Sequence, residues 1–251
     1  LQKLGSTLDV RYGNPTDVFR QLLQDYTIEK VFTNHDYEPY AKQRDAAVEE
    51  LLNDNSVSFH SFKDQVILEK DEVLKDDGKP YTVFTPYSRK WKAVLTDFHL
   101  KPYPNRKYFK NFFRQDERPI ISLEAIGFRP AGLPFPEKEW KGQVIRNYKE
   151  QRDIPAVQGT SRLSVHLRFG TISIRELAGE AGLLDETFLN ELIWRDFYQM
   201  ILWHFPDVIG NAFRPDYDKI KWRNNEKEFE MWCDGQTGYP IVDAGMRELN
   251  A

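Results

Sequence analysis

KVFTNHDYEPYAKQRDAAVEELLNDNSVSFHSF, residues 30–62, is the stretch whose reading decides the fold. Residues 30–33 are rich in β-branched and aromatic side chains and predict a short strand. Residues 38–52 have the length of a helix, with Ala46, Ala47, Leu51 and Leu52 available to a core. Residues 58–62 predict a second strand. Upstream, TLDVRYG (7–13) alternates and ends at a glycine, which predicts another strand. Asn14-Pro15-Thr16-Asp17 then offers a helix start, with proline in the first turn and Val18, Leu22 and Leu23 as the apolar stripe. Strands alternating with helices predict a doubly wound parallel α/β domain over residues 1–68. Such a sheet normally has more strands than these. The chain opens at Leu1 without an initiator Met and stops at Ala251 directly after a helical run, so both ends read as cut and the first strand region as missing.

Residues 69–141 look different. Segments such as DDGKPYTVFTPYSRKW and KPYPNRKYF are rich in Pro, Gly and Lys and weakly periodic, apart from a short helix around 90–95. They predict a long interdomain connection crossing the surface. From 142 to 251 the pattern is helical, over 147–152, 163–169, 173–181, 186–203, 226–233 and 241–250. No strand alternation appears there, so an all-α second domain is expected, incomplete at its end.

Composition narrows the class. Hydrophobic residues at 40% and charged ones at 29% fit an ordinary soluble globular protein, and no apolar run is long enough to cross a bilayer. One cysteine, Cys233, excludes an internal disulfide framework and suits a reducing cytoplasm. The five histidines form no metal spacing with it, so no metal is expected. The net charge of −4 argues against a uniformly basic nucleic-acid binder. Between residues 141 and 175, however, seven basic residues face two acidic ones. Such a local basic face attracts phosphates without binding everything anionic; a solvated loop of mixed charge is the plain alternative.

Three constellations carry chemistry. In Gly159-Thr160-Ser161-Arg162-Leu163-Ser164, hydroxyls and free backbone N–H groups near a helix start suit an anion, Arg162 adds charge, and Gly159 lets the backbone approach closely. Simple helix capping by Thr160 or Ser161 is the commoner use of such residues. In ETFLNELIWRDFYQMILWHFP, Glu191, Trp194, Arg195 and Tyr198 stand at i, i+3, i+4 and i+7. One helical face then carries an acid, an indole, a guanidinium and a phenol, which can grip a planar polar heterocycle such as a nucleobase. The alternative is a Glu191–Arg195 surface pair worth about 0.2–0.5 kcal/mol beside core aromatics. The third is Trp222 with WCDGQTGYPIVDAGMREL, where Asp243 and Arg247 make either a helix ion pair or a flavin-facing pair. Trp91, Trp140 and Trp203 read as packing residues.

Taken in order, YKEQRDIPAVQGTSRLSVHLRFGTIS (148–173), NELIWRDFY (190–198) and TGYPIVDAGMREL (237–249) resemble the photolyase/cryptochrome family, most closely its class I cyclobutane pyrimidine dimer DNA photolyases. NHDYEPYAKQRD (34–45) and YTVFTPYSRKW (81–91) resemble the antenna half more loosely. The resemblance implies FAD as cofactor, damaged DNA with the dimer flipped out as partner, and a monomer. Tyr148, Thr160, Ser161, Arg162, Leu163 and Ser164 would contact FAD, Phe188 would lie along the flavin pocket, and Arg195 would line the cavity between flavin and lesion. Arg152 would hold DNA phosphate, and Glu191 and Trp194, with Tyr198 on the same face, would receive the dimer. Trp222 would be the outermost tryptophan of the electron chain. The implied reaction is light-driven carbon–carbon cleavage of the dimer by an electron from reduced FAD, with the chemistry residing in the cofactor. A desolvated Glu191 would favour its neutral form and donate a hydrogen bond to a pyrimidine carbonyl. Photolyases are among the enzymes that take the target base out of the stack, so that step is borrowed from the family.

The resemblance also sets the alternatives. A plant-type cryptochrome photoreceptor typically lacks the acid-plus-tryptophan pair of NELIWRDFY, and a (6-4) photolyase usually lacks its Asn-Glu pair. A fragment acting only as a binding module is the third reading, because residues that contact the isoalloxazine ring would lie beyond Ala251. Folate-binding bacterial relatives carry Asn-Glu where this chain has Tyr40-Ala41, which disfavours folate. The antenna chromophore is left open between a deazaflavin, a flavin and none.

Overall fold

Asn14 starts the first helix as its sequence suggests: its Oδ1 accepts from the Thr16 amide at 3.0 Å, and Pro15 occupies the first turn. The computed structural model describes residues 1–130, 132 and 134–250. In it α1 (Pro15–Asp25) leads to β1 (Lys30–Asn34), α2 (Pro39–Asp54) and β2 (Ser58–Phe62). The strands pair in parallel, Lys30 opposite Ser58 and Asn34 opposite Phe62, so residues 30–62 form the expected β-α-β unit. Its core is small: Val48, Leu52 and Val57, with Phe19, Leu23, Ile28, Val31 and Phe59 packed on them.

Two local expectations fail here. Ala46 and Ala47 face solvent, while Ala41, Val48 and Leu52 supply the buried stripe of α2, because helical phase admits only one face to the strands. Residues 7–13 form no strand, and β1 and β2 are the only strands among the described residues. The alternation is real but inverted: Leu8, Val10 and Tyr12 are exposed. The polar row holds the segment instead, through Arg11 to Asp9 and Asp25 and through Arg118 to Asp9. An extended segment without a neighbouring ladder stays irregular.

Residues 66–95 are not a surface connection. Val66, Ile67 and Leu68 are buried, and α3 (Phe84–Val94) buries Tyr87, Ser88 and Trp91. Ile67, Leu68, Tyr87 and Trp91 join Ile145, Leu163, Leu177, Ala181, Ile193 and Met200 in the main core. The helices around it are α4 (Asp97–Leu100), α5 (Gly142–Arg146), α6 (Tyr148–Gln151), α7 (Ser164–Arg168), α8 (Ile174–Leu184) and α9 (Glu186–His204). Of the three packing tryptophans, Trp91 is fully buried, Trp140 packs at the core margin, and Trp203 lies under Lys42 and Lys70. Residues 101–130 do run over the surface, with short 3-10 turns at Asn105–Asn111 and Glu124–Ile126.

The chain forms two compact units, Leu1–Pro206 and Asp207–Ala251. The second contains α10 (Glu226–Cys233) and α11 (Pro240–Asn250). Within it Asp243 ties the start of α11, its carboxylate accepting from the Thr237 amide at 2.7 Å, the Thr237 hydroxyl at 2.5 Å and the Gly238 amide at 3.0 Å. These bonds, the Thr237 hydroxyl foremost, hold Asp243 below the usual carboxylate range. No helix among the described residues is long and apolar enough to cross a membrane.

Candidate functional site

Asp185 fixes where α9 begins, its Oδ1 accepting from the Phe188 amide at 2.7 Å. From that start, helical periodicity sends Leu189, Leu192, Ile193, Asp196 and Met200 inward. Glu191 and Trp194 remain half-exposed and Tyr198 exposed.

Glu191 forms an ion pair with Arg152, which stands at the end of α6. Both side chains are about a third exposed (35% and 37%), so the pair holds little stability and exchanges readily for another anion. The expected desolvated Glu191 is therefore not what this geometry shows: water and a guanidinium both reach the carboxylate. The Arg152 guanidinium also lies over the Tyr148 ring at 5.7 Å, and Tyr148 meets the edge of Phe188 at 5.1 Å. Burial, first, and the nearby Glu191 charge push the Tyr148 phenol up. Phe188 itself is buried in the core.

Trp194 is flanked by rings. Phe84 stacks face to face on it, with centroids 3.6 Å apart and planes within 5°, and Tyr198 lies 5.4 Å away at 23°. Phe84 opens α3, so the packing of α3 on α9 builds this platform. Arg195 is not part of it. Its guanidinium turns to the carbonyls of Gln65 and Leu167, and neither the Glu191–Arg195 pair nor a shared face with Trp194 forms. Burial pulls this guanidinium below its ordinary range.

Beneath the platform lies a residue that sequence reasoning missed. Asp196 is fully buried, and one carboxylate oxygen accepts from Ile67 N at 3.1 Å, Leu68 N at 3.0 Å and Trp91 Nε1 at 2.9 Å. Its other oxygen has no partner among the described residues. Burial pushes its pKa up to about 6, against those hydrogen bonds and the Arg195 charge. An acid inside the apolar stripe 189, 192, 193, 200 was the available signal, since such a carboxylate requires donors from elsewhere in the chain.

The 159–164 segment is tied through its backbone, Gly159 N donating to the Val157 carbonyl at 2.8 Å and the Leu163 carbonyl accepting from Leu167 N at 2.9 Å. α7 starts at Ser164 behind Leu163, with no side-chain cap, so Thr160 and Ser161 do not cap it. The hydroxyls of Thr160, Ser161 and Ser164 make no hydrogen bond among the described residues. Leu163 anchors the segment in the core, while Arg162 is exposed with φ +53°. A Cβ on Gly159 would stand 2.6 Å from the Gln151 carbonyl oxygen. Gly159→Ala is accordingly expected to destabilise the chain by about 1–3 kcal/mol by overpacking, read as a lowered midpoint in urea unfolding with an unchanged slope. A midpoint equal to that of the parent chain would refute the close approach.

Elsewhere, a cleft of about 600 Å³ lies where β1 and β2 end, lined by Asn34, His35, Asp64 and Gln65 on one side and Arg168, Arg175 and Tyr103 on the other. Crevices at strand carboxyl ends are where open α/β sheets take ligands. Neither Glu191, Trp194 nor Arg152 lines it. In the second unit Trp222 is 72% exposed, and Arg247 donates to the Gly235 carbonyl at 3.3 Å rather than pairing with Asp243. No group of three or more His, Cys, Asp or Glu among the described residues could hold a metal.

Two family models match the chain: "DNA photolyase" over residues 1–107 and "FAD binding domain of DNA photolyase" over 188–251. The deoxyribodipyrimidine photo-lyases of Halobacterium salinarum and Escherichia coli are each 33% identical to it, over 99% and 94% of this chain and 56% and 53% of theirs. The chain thus spans about half the length of the curated relatives it matches. Among solved structures, an archaeal photolyase from Sulfolobus tokodaii with two FAD molecules is 31% identical and superposes with a TM-score of 0.72, covering 100% of this chain and 56% of that one. A class III photolyase from Agrobacterium tumefaciens gives 0.77 at 27% identity, covering 94% and 54%. A Synechocystis cryptochrome gives 0.74 at 19%, covering 99% and 57%, which speaks to the fold alone. With both family models matched and 33% identity over 99% of the chain, on a fold that opens with a parallel β-α-β unit, the chain belongs to the photolyase/cryptochrome family.

Proposed function

We propose that this chain carries the dimer-receiving part of a deoxyribodipyrimidine photo-lyase, an enzyme that repairs cyclobutane pyrimidine dimers in DNA under light. The observation that carries this reading is Arg152 paired to Glu191 beside the Phe84–Trp194–Tyr198 rings. A cation free to leave its carboxylate for a phosphate, next to an aromatic platform and an acid, is what a flipped, stacked pyrimidine pair needs. Arg152 then takes the DNA phosphate, Trp194 stacks on the lesion, and the released Glu191 carboxyl faces the pyrimidine oxygens.

The residues present fit FAD. The unbonded hydroxyls of Thr160, Ser161 and Ser164, together with Arg162, make an anion-binding edge suited to a diphosphate, and Tyr148 and Phe188 stand beside it in sequence order. Light-driven electron donation is the chemistry FAD supplies when bound. The protein's own part is to hold the lesion against the platform and keep water from it. The cleft at the strand ends, with Arg168, Arg175 and Tyr103, suits a second planar anionic ligand such as an antenna chromophore. Trp222, exposed in its unit, is proposed as the surface end of the electron chain.

The test is blue-light repair of a dimer-containing oligonucleotide by the protein reconstituted with FAD. Repair that falls at least tenfold in Glu191→Ala with FAD retained supports the proposal. Photoreduction of FAD with no repair would replace it by a photoreceptor, and equal losses of repair and FAD would make Glu191 structural.

A further inference from the structure

Residues 101–114, KPYPNRKYFKNFFR, hold five cations and five aromatic rings and no acid, in a chain whose net charge is −4. Tyr103 also borders the cleft at the strand ends, and the other residues line no site described above. Tyr103, Tyr108 and Phe113 recur every five residues and are all exposed, at 65%, 55% and 66%. The side chains of Lys101, Arg106 and Lys110 are exposed with no ion pair or hydrogen bond to any described residue, and Lys107 leans on the Tyr108 ring at 4.9 Å. Such a density of unpaired charge repels itself and is held at a cost in stability, which calls for a counter-charge supplied from outside.

The segment is also pinned at both ends. Buried Arg175 lies over the Tyr103 ring at 4.7 Å and donates to its hydroxyl at 2.8 Å and to the His99 carbonyl at 2.9 Å. At the other end Arg114 donates to the Leu4 carbonyl at 2.7 Å, and Phe113 meets the edge of Tyr26 at 6.2 Å. Between the pins the 3-10 turn Asn105–Asn111 presents Arg106, Lys107 and Lys110, with Phe109 and Phe112 stacked on each other at 5.2 Å. Rings fixed in advance lose little entropy when a base stacks on them.

We propose that residues 101–114 form a second nucleic-acid contact, a strap that binds single-stranded DNA or RNA without reading its sequence. Cations alternating with exposed rings match the alternation of phosphate and base along a single strand. An anionic membrane would also attract the charge. It selects a helix with one continuous apolar face, which this segment of 3-10 turn and proline lacks.

The experiment follows binding of a fluorescent undamaged dT oligonucleotide across a potassium chloride series. Single-strand contacts contribute a salt slope of about 0.7 per phosphate, so the triple variant R106Q/K107Q/K110Q is expected to reduce the slope by about 2. Tyr108→Ala is expected to weaken binding at least fivefold. The ratio of damaged to undamaged affinity in the triple variant is expected to stay within twofold of wild type, which separates the strap from the proposed repair function. The substituted side chains are exposed, and an unchanged unfolding midpoint confirms the fold. Wild-type affinity and slope in the triple variant would overturn the strap. So would a triple variant that binds the oligonucleotide normally yet releases from phosphatidylserine vesicles, which would make the segment a membrane contact.

Discussion

Asp196→Ala is expected to destabilise the Leu1–Pro206 unit by about 3–5 kcal/mol, the largest effect of any single substitution considered. The alanine leaves three buried donors, Ile67 N, Leu68 N and Trp91 Nε1, without an acceptor, and opens a hole between α3 and α9. Asp196→Asn keeps one acceptor oxygen for all three and is expected to lose no more than about 2 kcal/mol. The two variants also differ from wild type in pH dependence. A folded-state pKa of about 6 lies above the 3.8 of an ordinary aspartate, so the folded chain holds a proton that the unfolded chain releases. The stability tied to that proton is complete below about pH 4 and is lost as the pH rises through about 6. Its size is on the order of 3 kcal/mol. Urea unfolding of wild type and Asp196→Asn at a series of pH values checks this: the difference between them should change across that window. A difference that stays constant, or an alanine variant as stable as wild type, would show that Asp196 is not the tie its contacts indicate.

On the proposed function, Trp194→Ala is expected to lower affinity for a dimer-containing oligonucleotide by about 10- to 100-fold, because stacking one base on an aromatic ring contributes about 1–3 kcal/mol. Affinity for undamaged duplex should change by less than about threefold, since phosphate contacts such as Arg152 carry it. Phe84 covers one face of the indole at 3.6 Å, so the lesion must use what Phe84 leaves open. Trp194→Phe is therefore expected to recover most of the discrimination, while Phe84→Ala lowers it by loosening the ring. The measurement is the ratio of damaged to undamaged affinity, beside a melting curve for each variant. Equal losses on both DNAs would mean that Trp194 supports the fold rather than the lesion.

Much of the fold was legible in local pattern. Periodicity and capping located α1, α2, α8, α9, α10 and α11, because an amphipathic stripe and a polar cap are written in neighbouring residues. The residue types of the site were legible too: Glu191, Trp194, Arg152 and the hydroxyl-rich 159–164 segment are contiguous motifs. Their partners were not. Helical spacing favoured Glu191 with Arg195, but the ion pair crosses from α6 to α9, and Arg195 turns to two carbonyls far away in sequence. Phe84 looked like part of a surface connection and Trp91 like a packing residue without a named partner, yet one covers Trp194 and the other closes on Asp196.

What the sequence by itself determined, then, was which elements form and which chemical groups the chain carries, since both depend on residues within a few positions of one another. The tertiary structure alone decided which cation meets Glu191, which ring backs Trp194 and which donors satisfy Asp196. Those choices join residues roughly 40 to 130 positions apart. A side chain's alternatives at that separation are settled by burial and by the need to pair every buried polar group, and neither is visible until the helices have packed.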